Sequence, residues 1–142
     1  MNSLQMKIAR IRQLDKDLIP EAIEDMERYR AIATACTPKY NSDGAQHTAP
    51  ATNSKEKAFA EYAEAGIKVD MLQDEIGNLK LEVKRIIDGI SCDKDRRFSK
   101  LYYIDQLTQR KISGKTRYAV STIKNSLRKA RETLNIVPDN PE

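Results

Sequence analysis

Hydrophobic positions recur at steps of three and four along most of this chain, which is the spacing of an amphipathic helix. The pattern is most regular in residues 54–90, where it continues without a break for more than four heptads. A stripe of this kind needs a partner helix, which is either the N-terminal part of the same chain or a second copy in a homodimer. Its residues are Ala58, Tyr62, Ala65, Val69, Leu72, Ile76, Leu79, Val83, Ile86 and Ile90.

A second long stripe occupies residues 2–34 and is interrupted by Pro20. Proline has no amide hydrogen and crowds the preceding helical turn, so we expect a kink or a break near Leu18–Ile19. Between the two stripes, residues 36–53 are rich in Pro, Thr, Asn and Ser and show no period, which is typical of a connecting loop. Residues 1–90 are therefore predicted to form an antiparallel helical hairpin with a polar loop.

Three shorter amphipathic segments follow in residues 92–136. The first has Phe98, Leu101 and Tyr102 on one side, and the second begins at Thr108, a residue type that favours the N-cap position. The third is strongly basic outside its apolar stripe. That stripe consists of Ile123, Leu127, Ala130 and Leu134.

No run of alternating apolar and polar residues indicates a β-strand. We therefore predict an all-α fold, in which a long, coiled-coil-like hairpin of residues 1–90 precedes a small C-terminal domain of residues 92–136. Residues 137–142 are a tail. Within the C-terminal domain, residues 114–119 are the predicted turn between the second and third short helices.

The positive charge of the chain is concentrated in its C-terminal third. Residues 1–91 contain 13 Lys and Arg against 15 Asp and Glu, a net charge of −2. Residues 92–136 contain 12 Lys and Arg against 4 Asp and Glu, a net charge of +8 in a chain whose total is +4. Charge segregated in this way is typical of a surface that binds a polyanion.

Three short helices that end with a basic amphipathic one suit a helix-turn-helix, whose second helix lies in the major groove of DNA. Asn pairs with adenine and Arg or Lys with guanine, so outward residues early in the last helix are candidates for base contacts. They are Ser121, Thr122, Lys124, Asn125 and Arg128. The candidates for phosphate contacts, which add affinity without selecting a sequence, are Arg110, Lys111, Lys115, Arg117, Lys129 and Arg131. The alternative interpretation is a basic helix whose polar face is merely solvated.

The stretch LYYIDQLTQRKISGKTRYAVSTIKNSLRKARETL resembles the end of the phage-encoded ArpU/RinA-type transcriptional regulators. That family ends in a helix-turn-helix like region 4 of sigma-70 factors. The resemblance extends weakly upstream, and it implies a phage or prophage regulator that activates late genes for packaging and morphogenesis. The matching residues are Leu101, Tyr103, Ile104, Leu107, Thr108, Ile112, Tyr118, Thr122 and Ile123.

The turn of this chain departs from the family pattern at three positions. Arg117 stands where the family usually has glycine, and Thr116 replaces an aliphatic residue. Ala119 replaces the serine that caps the last helix. Glycine tolerates a positive φ and serine satisfies free N–H groups, so these departures weaken the turn and bear on where the last helix starts.

Two other functions fit parts of the pattern. One is a small-terminase-like DNA-packaging subunit, although such proteins commonly place the DNA-binding part first, whereas here it comes last. The other is a helical protein that binds host RNA polymerase or another host protein without DNA specificity. Sequence-specific binding of double-stranded DNA accounts best for the basic last helix and the family resemblance together.

Other classes of function lack the residues they need. There are no paired carboxylates, no glycine-rich phosphate loop and no catalytic triad, so we expect neither enzymatic activity nor a cofactor. Cys36 and Cys92 lack the neighbours of a zinc site, and His47 is the one histidine of the chain. No apolar run suits a membrane span or a signal peptide, so we expect a cytoplasmic protein of a bacterial host.

Overall fold

The computed structural model describes residues 2–35 and 49–136, with side chains for 2–34 and 56–136. The described residues form helices and no strands, which confirms the all-α prediction. Two π-helical segments, Leu14–Leu18 and Lys100–Ile104, interrupt the α-helices. The α-helices are α1 Ser3–Gln13, α2 Ile19–Ala35, α3 Ala49–Ile87, α4 Asp93–Ser99, α5 Gln109–Thr116 and α6 Val120–Leu134.

The first π-helical segment lies where the sequence predicts a break. Because Pro20 has no N–H to donate to the carbonyl oxygen of Lys16, the regular hydrogen-bond ladder cannot continue through this point. A π-helical turn is one of the ways in which a helix absorbs such a defect. The π-helical segment ends between Leu18 and Ile19, where the sequence predicts a kink or a break, and the chain continues from there as an α-helix.

The start of α3 corrects the predicted loop. Residues 36–53 were expected to connect the helices, but α3 begins at Ala49 and includes the last residues of that range. Pro50 does not prevent this, because a proline in the first turn lacks an N–H that would have no helical partner anyway. Residues 36–48 lie outside the described residues.

The chain divides into two compact units. This division does not follow the boundary at residue 91 that the sequence predicts, and that boundary stays a prediction. One unit contains the described residues of 1–14 and 75–142, and the other contains residues 15–74. The first unit therefore joins α1 and the last part of α3 to all the C-terminal helices.

Within the first unit, ion pairs join α1 to the end of α3. Lys7 Nζ lies 3.1 Å from Glu82 Oε2. The Arg10 guanidinium donates two hydrogen bonds to Glu75, from Nε at 2.8 Å and from Nη2 at 3.1 Å. The hydrogen bond from Arg10 lowers the pKa of the Glu75 carboxyl group. The later residue of α1 pairs with the earlier residue of α3, which is the order of antiparallel helices.

The heptad stripe of α3 shifts near its end. Val83 is fully buried, as expected, but Ile87 is buried with 0% exposure while Ile86, the predicted stripe residue, is 38% exposed. An ideal α-helix has 3.6 residues per turn, so its contact face drifts relative to a strict 3.5-residue repeat. The prediction for Ile86 is wrong for this reason, and Ile90 returns to the buried side. Leu79 is half-buried.

Within the second unit, α2 lies against the first part of α3. Ala22, Tyr29 and Ala65 line one shallow groove between the two helices. A Cβ atom built on Gly66 would lie 4.0 Å from Met26 Sδ, an ordinary van der Waals separation. Stripe residues of both helices therefore face each other in this unit.

None of the described helices combines the length and the apolar character that crossing a bilayer requires.

Candidate nucleic-acid interface

One hydrophobic core holds the C-terminal helices together. Side chains from α4, the second π-helical segment, α5 and α6 meet in it, with Tyr102 and Leu107 packed against its side. Tyr103 is also buried, at 4% exposure, although the periodicity placed Tyr102 on the apolar side instead. A π-helical turn holds more residues than an α-helical turn and so rotates the side chains that follow. The core residues are Phe98, Leu101, Ile112, Ile123 and Leu127.

Helix α5 begins as predicted and ends later than predicted. Thr108 Oγ1 accepts a hydrogen bond from Lys111 N at 3.2 Å, which confirms the predicted N-cap. Residues 114–116, predicted to belong to the turn, are helical, since a glycine such as Gly114 costs a helix only about 1 kcal/mol relative to alanine. The turn is thus only Arg117–Ala119.

Arg117 reverses the chain in a left-handed conformation. Its φ is 66° and its ψ is 16°, and its N–H donates to Ser113 O at 2.8 Å. Glycine adopts this conformation freely, whereas a residue with a Cβ atom is strained there. This is the position at which the resembling family carries glycine. Ser113 Oγ also donates to Tyr118 O at 2.7 Å, so Ser113 forms hydrogen bonds with the first two residues of the turn.

Helix α6 starts without a capping side chain. Ala119 occupies the N-cap position in an extended conformation and has no side-chain oxygen to offer. The amide groups of the first turn of α6 therefore lack the acceptor that a serine would supply. The turn departs from the family pattern at residues that bear on where the last helix starts, and in the structure α6 starts at Val120.

A buried polar pair fixes α6 against α4. Ser126 Oγ donates a hydrogen bond to the Asp95 carboxylate, and both residues are buried. Ser99 Oγ donates to the backbone oxygen of Asp95 at 2.7 Å. This pair was not predicted, although Ser126 precedes Leu127 and falls on the apolar side of the 3.6-residue period. The hydrogen bond joins α6 to α4 on the buried side of α6.

The end of α6 is fastened to the start of the chain. Asn2 Nδ2 donates to Asn135 O at 2.7 Å and to Leu134 O at 3.3 Å. The same residue forms a capping box with Gln5 at the start of α1. Periodicity carries no information about such a contact, and the sequence analysis did not identify Asn2.

The predicted DNA contacts lie on α5, on the turn and on α6, which share one core. Within α6, Ile123 and Ala130 lie on the buried side. Because successive residues of an α-helix are rotated by about 100°, Ser121, Asn125 and Arg128 point away from the core. Thr122 and Arg131 are half-buried at the edges. The exposed candidates are Arg110, Lys111, Lys115, Arg117, Ser121, Lys124, Asn125, Arg128 and Lys129.

The Lys and Arg side chains of this surface form fewer salt bridges with carboxylates than those of α1–α3 do. In α1–α3, several Lys and Arg side chains pair with carboxylates, as Arg28 does with Asp25 at 2.7 Å. From residue 106 to residue 134, the one acidic side chain is Glu132. In the part of the chain that the structure describes, the candidates that form no salt bridge are Arg110, Lys111, Lys115, Arg117, Arg128, Lys129 and Arg131.

Two apolar side chains are exposed beside these cations. Tyr118 is 43% exposed, its ring lies edge-on to Phe98 with centroids 5.3 Å apart, and Lys94 Nζ lies 5.6 Å from its centroid. Val120 is 42% exposed. The exposure of Val120 was not predicted, because its spacing from Ile123 places it on the buried stripe, whereas the first residue of a helix extends past the edge of the core.

Among the described side chains, those of residues 2–34 and 56–136, no three His, Cys, Asp or Glu residues lie close enough together to hold a metal ion. Cys92 is exposed with a free thiol. Cys36 and His47 lie outside the described residues.

Comparisons with known protein families, curated protein sequences and solved structures found no match to this chain. The resemblance to the ArpU/RinA-type regulators therefore rests on the residues quoted for it.

Proposed function

We propose that this protein is a sequence-specific transcriptional regulator of phage or prophage type that binds double-stranded DNA through α5 and α6. The observation that carries the proposal is the set of Lys and Arg side chains on these helices that lack carboxylate partners. A folded protein can lower its self-repulsion by pairing charges, as α1–α3 do. Charge left unpaired on one element is available to a polyanion.

The charge of this region is large enough to dominate binding. Residues 106–134 contain eight Lys and Arg against one Glu. Each phosphate contact releases condensed counterions, so the logarithm of the affinity falls by about 0.9 per contact for each tenfold rise in salt. About five to seven contacts would weaken binding roughly a thousandfold between about 50 and 200 mM salt.

The geometry of α6 suits the major groove. This helix has 15 residues, so it is about 22 Å long and can cross a groove that is about 12 Å wide. Its first half exposes Ser121, Lys124 and Asn125, which can donate or accept hydrogen bonds at base edges. In this proposal α5 and α6 form a helix-turn-helix, with Lys129 and Arg131 beside the phosphates.

The remaining helices have a supporting role in the proposal. Residues 1–90 would form the helical hairpin, and the antiparallel order of the ion pairs between α1 and α3 supports this pairing within one chain. A homodimer or a contact with host RNA polymerase would then use the outer faces of the hairpin. Activation of late genes is the regulatory outcome that the family resemblance implies.

The test compares two variants of equal charge change. The interface variant carries Lys124→Gln, Arg128→Gln and Lys129→Gln. The control carries Lys57→Gln, Lys68→Gln and Arg85→Gln, which alter exposed residues of α3. Full-length proteins are titrated with a fluorescent random duplex at several salt concentrations. The interface variant should lower the salt slope by about two to three units, whereas the control should change it by less than about one.

Two further measurements extend this test to sequence choice and regulation. Selection from a pool of random duplexes should yield a shared sequence that is bound at least about a thousandfold more tightly than random DNA. A promoter that carries this sequence should then respond to the protein in transcription with bacterial RNA polymerase. Absence of duplex binding at about 50 mM salt, or equal losses in the two charge variants, would refute the proposal.

A further inference from the structure

Val120 is an apolar side chain at the start of α6, on the border between its buried stripe and its polar face. It is the first residue of α6 and is 42% exposed. The residues one and four positions later, Ser121 and Lys124, are exposed and polar. The buried core begins only at Ile123. The fold therefore leaves Val120 partly in solvent at the end of α6 that a major groove would receive.

The major groove offers one apolar group at the edges of its bases. Guanine, cytosine and adenine present hydrogen-bond donors and acceptors there, whereas thymine adds its C5 methyl group. An exposed valine can gain from contact with this methyl group because both surfaces leave water. Ser121 and Lys124, the polar residues one and four positions later, carry no methyl group that could make this contact.

The position of Val120 along α6 suits such a contact. In a helix-turn-helix, the N-terminal residues of the second helix lie nearest to the base edges. Val120 and Lys124 are one turn apart on the same side of α6, so they would face neighbouring base pairs. Valine is branched at Cβ and has few rotamers, so its methyl groups are held in place before binding.

We infer that Val120 is a specificity-determining residue that contacts the C5 methyl group of a thymine beside the base pair contacted by Lys124. This inference rests on the proposed function. It adds a residue and a preference for thymine that the basic charge of α6 does not require.

The experiment exchanges thymine for uracil, which removes the methyl group and leaves base pairing unchanged. The probe is the duplex that the wild-type protein selects from a random pool, synthesised with deoxyuridine at one thymine position at a time. Uracil at one position should weaken binding about three- to tenfold, which corresponds to the loss of one buried methyl contact. Uracil at positions outside the selected sequence should have no effect.

The protein variants identify the side chain that contacts the methyl group. Val120→Ala should bind the thymine and uracil duplexes equally, with the affinity of the wild type for the uracil duplex. Val120→Thr keeps one methyl group and should retain part of the difference. Met71→Ala, a change at another exposed apolar residue, should retain all of it. Since Val120 is partly exposed and alanine favours helices, thermal unfolding should show that Val120→Ala folds normally.

The outcomes separate this inference from the proposed function. If the selected sequence lacks thymine, or if the effect of uracil persists in Val120→Ala, the inference about Val120 is overturned while specific DNA binding stands. If the wild-type protein selects no sequence at all, both are overturned. Loss of the thymine preference in Val120→Ala alone supports the assignment.

Discussion

Replacing Arg117 with glycine should stabilise the fold and weaken DNA binding at the same time. Arg117 has a φ of 66° and a ψ of 16°, so it lies in the left-handed region. An L residue there costs about 1–2 kcal/mol, because Cβ approaches the following carbonyl oxygen. Glycine has no Cβ and relieves this strain.

The expected gain is smaller than the strain itself. Glycine gives the unfolded chain more freedom, which offsets about 0.4–1 kcal/mol. The Arg117 side chain is exposed and forms no salt bridge among the described residues, so its removal breaks no ion pair. The free energy of unfolding should therefore rise by about 0.5–1 kcal/mol. Tm should rise by about 2–5 °C for a protein of this size.

The assay is urea and thermal unfolding of the full chain, followed by far-ultraviolet circular dichroism. Arg128→Gly is the matched control, because it removes the same charge from an exposed residue inside α6. There φ is helical, so glycine should lower stability by about 1 kcal/mol. The two substitutions should thus change the free energy of unfolding in opposite directions.

The functional arm uses the same pair of proteins. Both variants lose one cation, so each should bind random duplex more weakly and with a salt slope smaller by about one unit. Arg117→Gln, which removes the charge but keeps a Cβ atom, should weaken binding without the gain in stability. If Arg117→Gly destabilises the protein as much as Arg128→Gly does, the reasoning from backbone strain is refuted.

Five other substitutions, four of them in two matched pairs, test the structure and the proposed interface. Ala119→Ser should supply the missing cap of α6 and raise the free energy of unfolding by about 0.5–2 kcal/mol in urea titrations; no change would mean that these amides are already satisfied. Ile87→Ala should lower that free energy by about 2–5 kcal/mol, because Ile87 is fully buried. Ile86→Ala is its control, and equal losses would contradict the shifted stripe of α3. Asn125→Ala should remove about 1–3 kcal/mol of discrimination at one base pair while leaving binding to random duplex nearly intact. Lys129→Ala should weaken binding to all duplexes alike, and identical behaviour of these two variants in paired salt titrations would mean that α6 does not select sequence.

The sequence by itself determined the helical character of the chain. Helical periodicity depends on which side of each segment is apolar, and this follows from local spacing alone. For the same reason, the buried side of α6 was predicted from Ile123, Leu127 and Ala130. The cap at Thr108 was also predictable, since it depends on the backbone chemistry of a single residue, and a π-helical segment lies where Pro20 predicts a kink or a break.

Element boundaries were predicted less well. Helix α3 begins earlier, and helix α5 ends later, than the sequence suggested. Pro50 and Gly114 are common in loops, but both are tolerated within a helix at their positions here. Propensity describes an average over many contexts, and the neighbouring helical residues decide the individual case.

Only the tertiary structure decided which residues meet across long distances in the chain. The hydrogen bonds of Asn2 with the end of α6, and of Ser126 with Asp95, join segments far apart in sequence. The partial exposure of Val120 also depends on where the core ends, which periodicity cannot locate. Local spacing determines which face of a helix is apolar, whereas long-range packing determines how much of that face is covered and which polar groups are held beside it.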